Sequence, residues 1–110
     1  MPENLNHFGF LFGGYMLMWV DEIAWVAASL EYPDFKFVTI GMDKVEFRTA
    51  VRQGTILRFL VTRVRLGKTS VTYEVDVANG SDPSAPSIFS THVTLVRVDD
   101  AGRKTPLISA

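Results

Sequence analysis

The chain has 110 residues, 47% of them hydrophobic and 21% charged, with a formal net charge of −1 and no cysteine. That length suits one domain with one core. The near-neutral charge gives no electrostatic reason to expect nucleic acid or an anionic membrane surface. Without cysteine there is no disulfide framework, thiolate nucleophile or zinc–thiolate centre. The opening residues MPENLN carry no basic segment followed by an apolar run, so no signal peptide and a cytoplasmic protein are expected.

Residues 1–14 read as a loop, with Pro2, two asparagines and Gly9, Gly13 and Gly14 among Phe8, Phe10 and Phe12. A helix is expected over 14–31, ending at Pro33, which disfavours helix in the residue before it. From Tyr15 to Leu30 its only polar side chains are Asp21, Glu22 and Ser29. Such a helix lacks a polar face and must be surrounded. It is short for a membrane span and carries two central carboxylates, so protein burial is the better reading. Beyond Pro33 the apolar spacing turns to period two. Strands are expected over Lys36–Phe47, with a bulge near Asp43-Lys44, and over Thr55–Leu66, Thr69–Ala78 and Ile88–Val98. Gly67-Lys68 reads as the centre of a tight hairpin turn. Arg48–Gly54 is a polar connection, and Asn79–Ser87 is turn-forming throughout.

One helix followed by strands joined mostly by hairpins makes an α+β domain whose antiparallel sheet can wrap the helix. Strand 55–66 places Ile56, Arg58, Leu60, Thr62 and Val64 on one side, and Leu57, Phe59, Val61, Arg63 and Arg65 on the other. Neither side is cleanly polar, which suits cover by a second subunit.

The run Asn6-His7-Phe8-Gly9-Phe10-Leu11-Phe12-Gly13-Gly14 leading into Trp19-Val20-Asp21-Glu22 resembles the signature of the hotdog-fold acyl-CoA thioesterases, of the cytosolic acyl-CoA hydrolase type. Val45-Glu46-Phe47, Val51-Arg52-Gln53-Gly54 and Arg65-Leu66-Gly67-Lys68-Thr69-Ser70 recur there at the same relative spacing. The likeness runs from Pro2 to Pro106 and implies a single hotdog domain over 1–110, a long helix cradled by a curved antiparallel sheet. It implies homodimers joined edge to edge and assembled into tetramers or hexamers, an acyl-CoA substrate, and no cofactor beyond the coenzyme A of that substrate. By the same pattern Asp21 is general base or nucleophile, in a pocket shared with Asn6 of another subunit. Asn6 positions water or the thioester, and the amide of Gly13 or Gly14 meets the carbonyl oxygen. Gly67, Lys68, Thr69 and Ser70 lie along the pantetheine and nucleotide end of coenzyme A. The family's short strand before the asparagine loop has no counterpart here: either an N-terminal piece is absent or the sheet does without it. The Thr49-Ala50 pair stands where the family often has a proline.

Thioester hydrolysis needs a poised water or carboxylate and stabilisation of charge on the carbonyl oxygen. Unpaired amides at a helix start near Gly13 and Gly14 would supply the second. The plain structural reading of Asp21 is a buried ion pair or a hydrogen bond to a neighbouring strand, and that of Asn6 is local backbone bonding. Glu22 points about 100° away from Asp21 and reads as structural. His7 and His92 read as structural too, and no metal spacing is present. Arg48, Arg52, Arg63 and Arg65 are further candidates for the phosphates, and one or two of the aromatics Phe8, Phe10, Phe12, Trp19 and Trp25 for the acyl tunnel. Two rival readings stay open: a hotdog enoyl-acyl hydratase or dehydratase using His7 with Asp21, and a non-catalytic acyl-CoA-binding module.

Overall fold

The computed structural model describes residues 3–48, 56–82 and 84–107, with the backbone alone for 3–13. Helix α1 spans Glu3–Glu31, and four strands follow: β1 Lys36–Phe47, β2 Leu57–Leu66, β3 Ser70–Asn79 and β4 Phe89–Val98. The segment Val51-Arg52-Gln53-Gly54, the Thr49-Ala50 pair and Thr55 lie outside the described residues.

The helix stops where expected and starts earlier. At its C-terminus the Tyr32 amide makes the last turn's bond to Ala28 O at 2.9 Å, and Pro33 follows with no amide to continue it. At the other end the expected loop over 1–14 is corrected: the chain is helical from Glu3. Phe8 and Phe12 extend backward the four-residue apolar spacing of Met16, Val20, Ala24 and Ala28, which is helical periodicity. It runs through Gly9, Gly13 and Gly14, each less favourable in a helix than alanine by about 1 kcal/mol.

The sheet is antiparallel in the order β1-β4-β3-β2. β2–β3 and β3–β4 are neighbours in chain and space, whereas the consecutive strands β1 and β2 form opposite edges. The core lies between α1 and the two central strands. Met16, Val20, Ala24 and Ala28 are fully buried, against Val71, Tyr73, Val75 and Val77 of β3 and Phe89, Val93 and Leu95 of β4. Two alanines on that helix stripe let the backbone sit close to the larger strand side chains, and each buried Val or Leu contributes roughly 1.5–3 kcal/mol.

Strand β1 slips register between Thr39 and Gly41 and again between Asp43 and Glu46, where Lys44 adopts φ 52°. The second slip is the expected bulge. A further slip between Arg63 and Arg65 corrects the reading of β2: Arg65 pairs with Thr72 and so shares the side of Thr62, not that of Arg63.

The β2–β3 turn is also one residue later than expected. The Gly67 amide bonds Ser70 O at 2.8 Å, leaving Lys68 and Thr69 at the tip. Gly67 leaves room for the Ser70 hydroxyl: a Cβ there would stand 2.6 Å from Ser70 Oγ, which would have to rotate away.

In the single chain α1 is covered on one side only. Tyr15, Met18, Trp25, Val26 and Leu30 are exposed on it, as are Val38, Ile40 and Val45 on edge strand β1 and Leu60, Val64 and Leu66 on edge strand β2.

Candidate active site

Asp21 follows fully buried Val20 on α1 and is itself half-buried at the margin of the helix–sheet contact. Thr39 of β1 pairs with Leu95, a core residue, so its hydroxyl points to the helix side of the sheet. Thr39 Oγ1 donates to Asp21 Oδ1 at 2.5 Å. This is the strand hydrogen bond that a structural role for Asp21 called for. It would equally hold a reacting carboxylate in one rotamer, and the second oxygen of Asp21 has no hydrogen bond to another described side chain. Thr39 carried no signal in the sequence, because the contact joins residues 18 apart through the tertiary fold.

The structure does not bring the other candidate residues of one chain to Asp21. Asn6 stands 15 positions before it on the same helix, which is about 22 Å along the axis at 1.5 Å per residue. Gly13 and Gly14 are about 11–12 Å away by the same measure. Because α1 begins at Glu3, the amides of Gly13 and Gly14 fall inside the helix, where each amide bonds the carbonyl four residues back. The expected helix start at the glycines is therefore corrected. The helix's unpaired amides belong to its first turn, where Asn6 lies. The side chains of Asn6 and His7 fall outside the described residues.

Gly67, Lys68, Thr69 and Ser70 come together at the hairpin tip. Lys68 O accepts from the Leu107 amide and Thr69 O from the Arg97 amide, both at 2.9 Å, so the tip is fastened to β4 and to the segment after it. Of the arginines, Arg65 reaches this end of the sheet and has no carboxylate partner among the described residues, and Arg63 is paired with Glu31 at 3.4 Å. Arg48 is not at this end: it follows β1 at the far edge and bonds Glu46 and Ser87. Arg52 is outside the described residues.

An apolar groove of about 480 Å³ runs between α1 and β2, lined by Trp19, Glu22, Ile23, Val26, Leu57 and Phe59. Glu22 is thus a rim residue of the groove. Trp19 lines it, while Trp25 does not.

Two polar clusters escaped the sequence. Tyr73 donates a 2.5 Å hydrogen bond to Glu31 Oε1, and Arg63 holds the other oxygen of that carboxylate. Burial, and then the bond to Glu31, push the Tyr73 phenol well above its ordinary range. On the sheet face away from the helix His92 pairs with Glu74 at 3.2 Å. Their strands are neighbours, which spacing along one strand does not reveal. Among the described residues no three His, Asp or Glu side chains are grouped to hold a metal, and no described helix is long and apolar enough to cross a membrane.

A half-buried helix carboxylate tied to a strand hydroxyl, on one long helix laid over an antiparallel sheet, can be compared with known proteins. A model of the thioesterase superfamily matches residues 8–85. The chain belongs to that superfamily. Its fold is the hotdog fold: it superposes on a hexameric hotdog-fold thioesterase of Campylobacter jejuni with a TM-score of 0.73 at 34% identity, over 87% of this chain and 75% of that one. A hexameric thioesterase from Yersinia pestis gives a TM-score of 0.77 at 25% identity, over 90% of this chain and 81% of the other. By sequence the chain is similar to an acyl-CoA thioester hydrolase of Zymomonas mobilis, itself uncharacterised, at 32% identity over 69% of this chain and 50% of the relative. A second such hydrolase, of Buchnera aphidicola, is 30% identical over 70% of this chain and 56% of the relative. The chain thus spans about half the length of the curated relatives it matches.

Proposed function

We propose that this hotdog protein is an acyl-CoA thioesterase, hydrolysing the thioester to a carboxylic acid and free coenzyme A, with Asp21 as general base or nucleophile. The observation that carries the proposal is the Thr39–Asp21 hydrogen bond in a chain of this superfamily. As base, Asp21 takes a proton from the water whose oxygen attacks the thioester carbonyl. The carbon–sulfur bond then breaks, and the sulfur leaves and is protonated. As nucleophile, its free oxygen attacks first and water resolves the anhydride.

The site is shared between subunits, with Asn6 of one chain serving Asp21 of another. A separation of about 22 Å along the helix of one chain supports this. The amide of Gly13 or Gly14 polarises the carbonyl. That role requires the helix to release its backbone bonds at the paired glycines, where it is intrinsically weakest. Homo-oligomerisation, as a tetramer or hexamer, covers the exposed apolar side of α1 and the two sheet edges.

The test is release of free thiol from a panel of acyl-CoA chain lengths by the parent protein and by Asp21→Ala. Turnover should fall by at least about a hundredfold in the variant. Unchanged turnover would remove Asp21 from the mechanism. Saturable acyl-CoA binding with no thiol released by the parent would make the protein a binding module instead.

A further inference from the structure

The segment after β4 turns at Gly102 (φ 81°) and comes back along the strand that it has left. Asp99 N bonds Arg103 O at 2.8 Å, Thr105 N bonds Arg97 O at 2.9 Å, and Lys104 bridges to Val98. The return ends with the Leu107 amide on Lys68 O and the Leu107 side chain buried in the core at 4% exposure. A strap of residues 103–107 is thereby laid against the β2–β3 hairpin tip by backbone bonds and an apolar anchor. Charged side chains of β4 and its turn add to this, Arg97 donating to Pro106 O at 2.7 Å and Asp99 Oδ1 accepting from the Arg103 amide at 2.9 Å, while the side chain of Lys104 takes no part in holding the strap.

The cations this assembles are unevenly matched. Arg103 is paired with Asp99 and Lys36 with Asp100. Exposed Arg65, Lys68 and Lys104 have no carboxylate partner among the described residues, in a chain whose acids outnumber its lysines and arginines by 12 to 11. Around them Thr69, Ser70 and Thr105 place hydroxyls, and Arg97 is committed to the Pro106 carbonyl at 2.7 Å and to the face of Phe35. Unmatched cations on a fixed backbone beside hydroxyls suit a phosphorylated ligand.

We infer that the strap completes a phosphate-binding site with the hairpin, Lys104 joining Lys68 and Arg65 to hold the phosphorylated nucleotide end of coenzyme A. This rests on the acyl-CoA reading above and adds to it residues beyond the hairpin.

The experiment compares an acyl-CoA with the same acyl thioester of pantetheine, which lacks the nucleotide, in the parent protein, Lys104→Gln, Lys104→Arg and Lys44→Gln. Lys44 is another exposed lysine with no carboxylate partner among the described residues, but it sits in the β1 bulge. Calorimetric titration with free coenzyme A accompanies the kinetics. Expected for Lys104→Gln is a rise of about five- to tenfold in KM for acyl-CoA relative to the pantetheine thioester, with the same weakening of coenzyme A binding and a shallower salt dependence. Lys104→Arg should restore most of the loss, and Lys44→Gln should match the parent. An unchanged KM ratio and unchanged coenzyme A affinity in Lys104→Gln would overturn the strap's role while leaving the thioesterase reading intact. A parent that hydrolyses neither substrate, yet binds coenzyme A more tightly than Lys104→Gln does, would uphold the strap and overturn the thioesterase reading.

Discussion

Thr39 and Asp21, on different elements and 18 residues apart, share a 2.5 Å hydrogen bond across the seam between β1 and α1. The bond reaches the outer part of the helix–sheet contact, so its value is orientation more than cohesion. Thr39→Val is accordingly expected to lower kcat for acyl-CoA hydrolysis about tenfold, the size of one hydrogen bond to a charged group. Thr39→Ser should keep most of the activity, and thermal unfolding of both should stay within a few degrees of the parent. A Thr39→Val enzyme with full kcat would show that Asp21 needs no such support.

Sharing of the site between chains makes a separate prediction. Asn6→Ala and Asp21→Ala proteins, each inactive alone, should regain part of the parent's activity after mixing and subunit exchange, since some sites then receive an intact residue from each chain. Exchange is verified by mass spectrometry of the assembled species. No recovery after verified exchange counts against a shared site.

Tyr73 offers a pH test. Its phenol is held protonated by burial and by the Glu31 carboxylate, above the ordinary tyrosine value of about 10. An unfolded chain releases that proton near pH 10 and the folded one does not. The contribution to stability is therefore complete below about pH 10 and is lost as pH rises toward the folded value. Absorbance titrations of the parent and Tyr73→Phe at 295 nm should coincide up to about pH 11. A tyrosinate step near pH 10 that is missing from the variant would contradict the assignment.

The hairpin glycine can be tested by a double-mutant cycle. Gly67→Ala puts a methyl group 2.6 Å from the present position of Ser70 Oγ, and the hydroxyl must swing away. Adding Ser70→Ala removes the atom in conflict. Chemical denaturation should then show the double variant less destabilised than the sum of the singles, by about 0.5–1 kcal/mol. Strict additivity would mean that the contact is already relaxed.

For the core, Phe89→Ala removes a fully buried ring that packs at 4.5 Å, centroid to centroid, against Phe47 of β1. A loss of about 3–5 kcal/mol is expected in denaturant unfolding, as for large-to-small changes in other cores. A loss below about 1 kcal/mol would mean that β1 and β4 close over the gap.

Much of the fold was legible because its signals are local. Period-two alternation gave β1 its bounds and placed β4 to within a residue, and Pro33 marked the helix end. The misreadings have physical causes that a linear pattern conceals. Gly67 read as a central residue of the turn, but its amide closes the turn on Ser70 O, so Lys68 and Thr69 take the tip one position on. The slip at Val64 sends Arg65 to the opposite side from Arg63, and nothing in the arginine spacing announces a bulge. Three glycines argued for a loop before Gly14, whereas the phenylalanine spacing continues the helix. Of the candidate site, Asp21 stood out as a carboxylate on an apolar helix, but its contact with Thr39, like the Glu31–Tyr73 pair and the strap that carries Lys104, exists only once distant segments meet.

Strand order also shapes how the chain comes off the ribosome. Among the described residues β1 pairs with β4 alone, from Phe47 opposite Phe89 to Lys36 opposite Val98, so about forty residues beyond β1 must be made before the first strand can begin to pair. Until then the helix stripe of Met16, Val20, Ala24 and Ala28 has only part of its cover. Pairings this distant in sequence are slow to form, and the partly built chain keeps apolar strands open to other chains in the meantime. Synthesis stalled before Phe89 would leave a species lacking one of the two central strands of its sheet, and chaperone capture of such nascent chains should fall sharply once β4 has cleared the exit tunnel.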